Sequence, residues 1–149
     1  MHLWLRNTIG FVEVALVTLL AGMLWSTSLV IAPALFDVAS SGAVAGEFAT
    51  GIFDRVIRLA MVLAAALLVI GLVMRPVWKA RCVIAAVVTI LLLLLLQNGV
   101  VNWMADARAA GESREVIMQL HAVAAALYFG ASVSALLLLP KRRREEVAA

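Results

Sequence analysis

The stretch Ile90-Leu91-Leu92-Leu93-Leu94-Leu95-Leu96, followed at once by Gln97-Asn98, decides the fold. An unbroken aliphatic run has no polar face to offer water. Extended to its natural limits, about Ala80 to Trp103, it meets the length of about 20 residues that a helix needs to cross a bilayer. Trp103 closes the run with a ring suited to the membrane interface, where its body is buried and its N–H stays wet.

Three more apolar runs flank this one. Ile9 to Leu35 is interrupted only by Glu13 and a few Gly, Ser and Thr residues. It is too long, and lacks the small-residue cleavage pattern, for a signal peptide, so it reads as a retained helix. Pro33, which lacks a backbone donor, predicts a kink or last turn there. Ser40-Ser41-Gly42 reads as a turn. From Glu47 an amphipathic pattern, with Phe48, Ile52, Phe53, Val56 and Ile57 at helical spacing, merges into the apolar run Leu59 to Met74, which Arg75-Pro76 ends. Ser113 with Glu115 reads as the N-terminal cap of a fourth run reaching Leu139, where Pro140 stops it. The reading is therefore all-α, a polytopic four-transmembrane-helix bundle forming one domain over residues 1–149, with helices at about 9–35, 47–74, 80–103 and 114–139.

Composition agrees. Of 149 residues, 65% are hydrophobic and 14% charged, with mean hydropathy +1.08. Soluble domains run about 45–50% apolar and about 25% charged, so a conventional soluble enzyme and a disordered chain are both excluded. The net charge of +3 would suggest nucleic acid in a soluble protein; here the bases sit beside apolar runs and report topology instead. Arg6, Arg75, Lys79, Arg81 and Lys141 to Arg144 place about eight on one side, against about four (Arg55, Arg58, Arg108, Arg114) on the other. That predicts a multi-pass inner-membrane protein with both termini cytoplasmic and no nucleic-acid partner. Cys82, the lone cysteine, offers neither a disulfide nor a Cys-rich metal site.

Function is sought among polar residues inside the spans, which are costly there unless partnered. The half away from the termini collects Ser26, Thr27 and Ser28 from the first helix, Asp54, Arg55 and Arg58 from the second, Gln97, Asn98 and Asn102 from the third, and Gln119 and His121 from the fourth. Such a layer predicts a binding cavity, with His121, Asn98, Asn102, Arg55, Arg58, Asp54 and Gln119 as candidate ligand contacts. His121 has chemistry suited to a proton carrier or a haem or metal ligand; its plainer role is a hydrogen bond to Asn98 or Asn102. No companion stands at metal-ligand spacing, so no metal site is expected. The Asp54, Arg55 and Arg58 set either satisfies itself or holds an anionic head group. Glu13 is either hydrated or paired near the cytoplasmic side, or a proton or cation site. Small residues Ala60, Ala64, Ala65 and Gly71, and Ala122, Ala125, Ala126 and Gly130, predict close packing of the second helix on the fourth. No nucleophile elbow, phosphate loop, zinc-protease helix or paired-cysteine motif is present, so no residue is assigned a catalytic role.

Three segments carry a resemblance: Trp25 to Phe36, ending in Ala32-Pro33-Ala34-Leu35-Phe36; Ala45-Gly46-Glu47 through Ile52-Phe53-Asp54-Arg55-Val56-Ile57-Arg58-Leu59; and Gln119-Leu120-His121-Ala122. In order and spacing they resemble the transmembrane protein 205-like family, also called domain of unknown function 4149. The resemblance implies a small four-helix integral membrane protein and brings little mechanism. Relatives often have Phe-Pro followed by aromatic residues where this chain has Phe53-Asp54-Arg55-Val56-Ile57, so a role resting on those groups does not transfer. Membrane proteins of the copper-resistance D and HemJ-like haem-pathway types are a second, lesser resemblance through His121. Three functions follow as expectations: a non-enzymatic protein that binds or helps move a small solute, metal complex or lipid; a haem-linked oxidoreductase using His121; or a structural or assembly subunit of a membrane complex. Membrane lipids and a homo-oligomeric or other membrane-protein partner are the expected associates.

Overall fold

Long aliphatic stretches satisfy their backbone groups only by winding into helices when no water is at hand. A computed structural model describes residues 2–74 and 77–139, with side chains for 8, 10–42, 44–73 and 84–139. Among these residues it contains helices and no strand. Helix α1 is His2–Ser26, α2 Ala32–Val38, α3 Gly42–Met74, α4 Val77–Ala109 and α5 Arg114–Leu137. A π-helical turn, Thr27–Ile31, joins α1 to α2, so the two form one rod with an irregular middle. Among the described residues four segments are long and apolar enough to span a membrane: Gly10–Val38, Val44–Val73, Ile84–Ala109 and Arg114–Leu137. This is a multi-pass membrane protein.

The helices run past the ends that hydropathy suggested. Helix α3 starts at Gly42 and α4 continues to Ala109, because a helix persists through the polar interface as long as its backbone bonds are made. The break after α4 is a tight one: Gly111 takes φ +74, a left-handed conformation that glycine adopts without penalty. Ser113 then caps α5, its hydroxyl accepting from the Val116 N–H at 3.4 Å. The Arg75-Pro76 stop, Pro140 and the Lys141 to Arg144 tail lie outside the described residues, as do the side chains of Arg6, Lys79, Arg81 and Cys82.

The helices form a ring in which α1 packs on α3, α3 on α4, α4 on α5, and α5 back on α1. The α4–α5 seam is the most extensive. Val17, Leu20 and Leu24 of α1, Ile57, Ala60 and Ala64 of α3, Val87, Ile90 and Leu94 of α4, and Tyr128, Ala131 and Ala135 of α5 form the core. A second apolar cluster, Met104, Ala107 and Leu120, closes the end beside the α4–α5 connection, hereafter the far end.

The predicted pairing of the second membrane helix with the fourth is corrected. No Cα atoms of α3 and α5 come within 8 Å; the two stand diagonally across the ring. Each uses its small residues against α4 instead: a Cβ at Gly71 would lie 3.8 Å from Ile84, and one at Gly130 3.3 Å from Leu93. Ala122, Ala125 and Ala126 are exposed. A small-residue pattern shows that a backbone can be approached, and the helical phase decides by which neighbour.

Candidate functional site

The site begins with a fault in a helix. Pro33 cannot donate the backbone bond that the Leu29 carbonyl would accept in a regular helix. One turn earlier, hydroxyls bond back to carbonyls. Thr27 Oγ1 donates to the Met23 carbonyl at 2.8 Å, while Ser28 Oγ lies 3.2 Å from the carbonyl oxygens of Leu24 and Trp25. Such back-bonding bends helices, and here the ladder widens so that the Ala32 N–H reaches the Thr27 carbonyl, five residues back. π-Helical turns of this kind occur often at functional sites.

Helix α5 clamps the rod just before the fault. The Tyr128 hydroxyl donates to the Leu24 carbonyl at 2.9 Å, and the Trp25 indole N–H donates to the Ser132 carbonyl at 3.1 Å. Ser132 Oγ in turn donates to the Tyr128 carbonyl at 2.8 Å. Edge-on ring contacts add to the clamp: Trp25 with Phe129 at 6.0 Å, and Tyr128 with Phe53 of α3 at 5.1 Å. Tyr128 thus ties α5 to its neighbour α1 and to the diagonal helix α3.

Beyond the clamp the ring opens. Neither the π-helical turn nor α2 comes within 8 Å, Cα to Cα, of α5; toward the rest of the ring they contact α3 alone. His121, Ala125, Tyr128 and Ser132 are spaced i, i+4, i+7, i+11 and share one face of α5. Tyr128 and Ser132 are buried under α1, whereas Ala125 and His121 on the same face are exposed. Departure of α1 from α5 accounts for the difference.

Gln97 belongs to the buried stripe of α4 and is 4% exposed. Its Oε1 is fully enclosed and has no hydrogen-bond partner among the described residues. The Leu93–Gly130 contact and the Leu24–Tyr128 bond fix the levels of three helices. Gln97, one turn beyond Leu93 toward the far end, therefore stands level with Ser26 and Thr27, where α1 loses its regular ladder.

The predicted layer divides accordingly. Thr27 and Gln97 are interior, Ser28 and Asn98 half-buried, and Asn102, Gln119, His121, Arg55 and Arg58 exposed. Asp54 and Arg58 form an i, i+4 pair, with Nη2 to Oδ2 at 2.7 Å and Nε to Oδ1 at 3.1 Å; Arg55 lies outside it. Among the described residues no hydrogen bond joins His121 to Asn98 or Asn102. Asn98 is turned about 100° around α4 from the interior-facing Gln97, and Asn102 still further. Glu13 is half-buried, about 21 Å along the rod from Thr27 at 1.5 Å per residue, and forms no part of this layer. No group of three or more His, Cys, Asp or Glu residues among those described could hold a metal ion.

A family model described as "Domain of unknown function (DUF4149)" matches residues 15–113. The chain belongs to the DUF4149 family. No curated protein matches the chain, and no solved structure does. The DUF4149 match takes in the second half of α1, from Ala15, with the π-helical turn, α2, α3 and α4, and ends at Ser113, the cap of α5. In this DUF4149 chain Tyr128, Ser132 and Trp25 are the participants that polarity counting missed. Tyr128 is the only tyrosine of the chain, set in an otherwise apolar run with a serine at i+4, which is the signal that would have singled it out.

Proposed function

We propose that this DUF4149 protein is a non-enzymatic membrane protein that binds a small ligand inside the far half of its bundle. The observation that carries this reading is the enclosed, unpartnered Oε1 of Gln97. An acceptor left in that position costs on the order of 1–3 kcal/mol, which a bound donor would recover. The fault in α1 at the same level and the parting of α1 from α5 support it. The test is native mass spectrometry of gently solubilised wild type and Gln97→Leu. We expect a small molecule to accompany the wild type and to be missing from the variant at equal protein yield. Equal occupancy in both would remove the reading.

In the proposed orientation the far end faces away from the cytoplasm, as the distribution of Lys and Arg supports, and the proposed membrane is the inner one. Reaction of a Glu112→Cys variant with an impermeant thiol reagent in intact cells would bear this out; no reaction until permeabilisation would reverse it. A second reading, an assembly subunit that meets another copy of itself, is favoured by one observation: Gln119 lies exposed on α5, half a turn from the interior face. The haem reading through His121 gains no support from geometry, since His121 lies exposed at the edge of the gap and not in an enclosed pocket.

A further inference from the structure

Resting on that ligand-binding reading, we infer that the gap between the far arm of α1 and α5 admits an uncharged long-chain amphiphile sideways from the bilayer, its hydroxyl or amide head hydrogen-bonding to Gln97. The argument starts with hydrogen-bond capacity. The donors of Thr27, Ser28, Trp25, Tyr128 and Ser132 are all spent on backbone carbonyls. What the layer has left is the carboxamide of Gln97, with an enclosed oxygen lacking a donor, and hydroxyl lone pairs. A hydroxyl or amide supplies the missing donor.

Charge excludes the alternatives. None of these six side chains is ionic, and Asp54 and Arg58 are bound to each other. Arg55 is exposed and, two residues from the buried Ile57, is turned about 160° from the interior. His121 is exposed at the edge of the gap and not at the enclosed amide. A carboxylate or ammonium head brought to Gln97 would lose its water without gaining a counter-ion.

The access path is set by the open side of the ring. Leu29 and Val30 of the π-helical turn are each 64% exposed, and on the facing side of α5 stand the short side chain of Ala125 and, one turn further, His121. Leu29, Val30 and Ala125 suit an alkyl chain, and the absence of any Cα approach between the turn and α5 leaves that side to the lipid. The π-helical turn with Pro33 supplies the place where the arm can shift to let a head group reach the enclosed amide.

The experiment uses the full chain in phosphatidylcholine nanodiscs and three photoactivatable probes of equal chain length: an alcohol, a carboxylic acid and an amine. Labelled positions are read by peptide mass spectrometry. The alcohol should label the π-helical turn and α5 between Met118 and Tyr128. Gln97→Leu should cut that labelling by about tenfold, the worth of one buried hydrogen bond. The acid and amine should label the wild type weakly. Ala125→Trp, an exposed position that leaves the interior untouched, should block labelling while Gln97 remains. Equal labelling by all three probes, each reduced by Gln97→Leu, would overturn the uncharged-ligand inference and leave the binding reading standing. Labelling that ignores Ala125→Trp would overturn the lateral path. Labelling by every probe that ignores Gln97→Leu would overturn both the inference and the reading beneath it.

Discussion

At the scale of single residues, helical phase separates polar groups that look alike in the sequence. Gln97 and Gln119 are both glutamines in apolar helices, yet one is enclosed and the other exposed. Gln119 is nine residues from Tyr128, which turns it about 180° away from the interior at 100° per residue. Reading the spans for polar residues gathered Thr27 and Gln97 with Asn98, Asn102, Gln119 and His121, but could not tell inward from outward. That distinction requires knowing which neighbour each face meets, which an almost uniformly apolar helix does not advertise. Tyr128 shows the reverse case, a residue masked by its aromatic body whose hydroxyl joins two helices. Replacing Tyr128 with Phe should cost about 1 kcal/mol, near the average for interhelical hydrogen bonds in membranes. The Leu24 carbonyl keeps a contact with the Ser28 hydroxyl at 3.2 Å, so it is not orphaned, and the ring contact with Phe53 survives. Reversible unfolding in mixed micelles measures this. A loss above about 3 kcal/mol, the upper range for an orphaned buried group, would show that Tyr128 supports more than one bond.

At the scale of elements, the existence of four membrane helices was legible because an apolar run of that length has no other stable form in lipid. Pro33 was correctly read as a disturbance, but its consequence was not a terminus. Hydroxyls at Thr27 and Ser28 take up the slack as a π-helical turn, and α2 continues to Val38. The choice of partners was illegible for a related reason: Ala60, Ala64 and Gly71 form a smooth face that fits any helix, and α4 rather than α5 occupies it. The α4–α5 seam gives this a measurable form. At Gly130 an added Cβ would come 3.3 Å from a methyl of Leu93, the end of a flexible side chain that can yield by a few tenths of an ångström. Gly130→Ala should therefore be close to neutral. Gly130→Leu exceeds what Leu93 can yield and should destabilise by about 1–3 kcal/mol, the usual cost of overpacking. The same unfolding assay distinguishes the two, and equal effects would mean that α5 does not approach α4 at this point.

At the scale of the whole molecule, a four-helix ring has little interior. Between 22% and 33% of each span's apolar window is buried within the chain, so most of every helix faces lipid or another protein. Lipid covers aliphatic surface at no cost, which makes the exposed leucines of α4 unremarkable. The outward face of α5 differs: Gln119, Ala126 and Val133 recur at seven-residue spacing and are all exposed, a polar group followed by a small one on a line parallel to the helix. Small residues allow a second backbone to approach, and an amide can bond to its own copy across a two-fold axis. If copies of this chain associate, they should do so along that line. In a Cys82→Ser background, Ala126→Cys should give a disulfide-linked dimer on mild oxidation of native membranes, whereas Leu92→Cys, on an exposed face of α4, should remain monomeric. Cross-linking at both positions would indicate random collision, and cross-linking at neither would remove self-association through α5. The gap beside the π-helical turn lies on a different face of α5, so Ala126 dimers should still bind the long-chain alcohol probe; loss of labelling in the cross-linked form would mean that the two faces overlap.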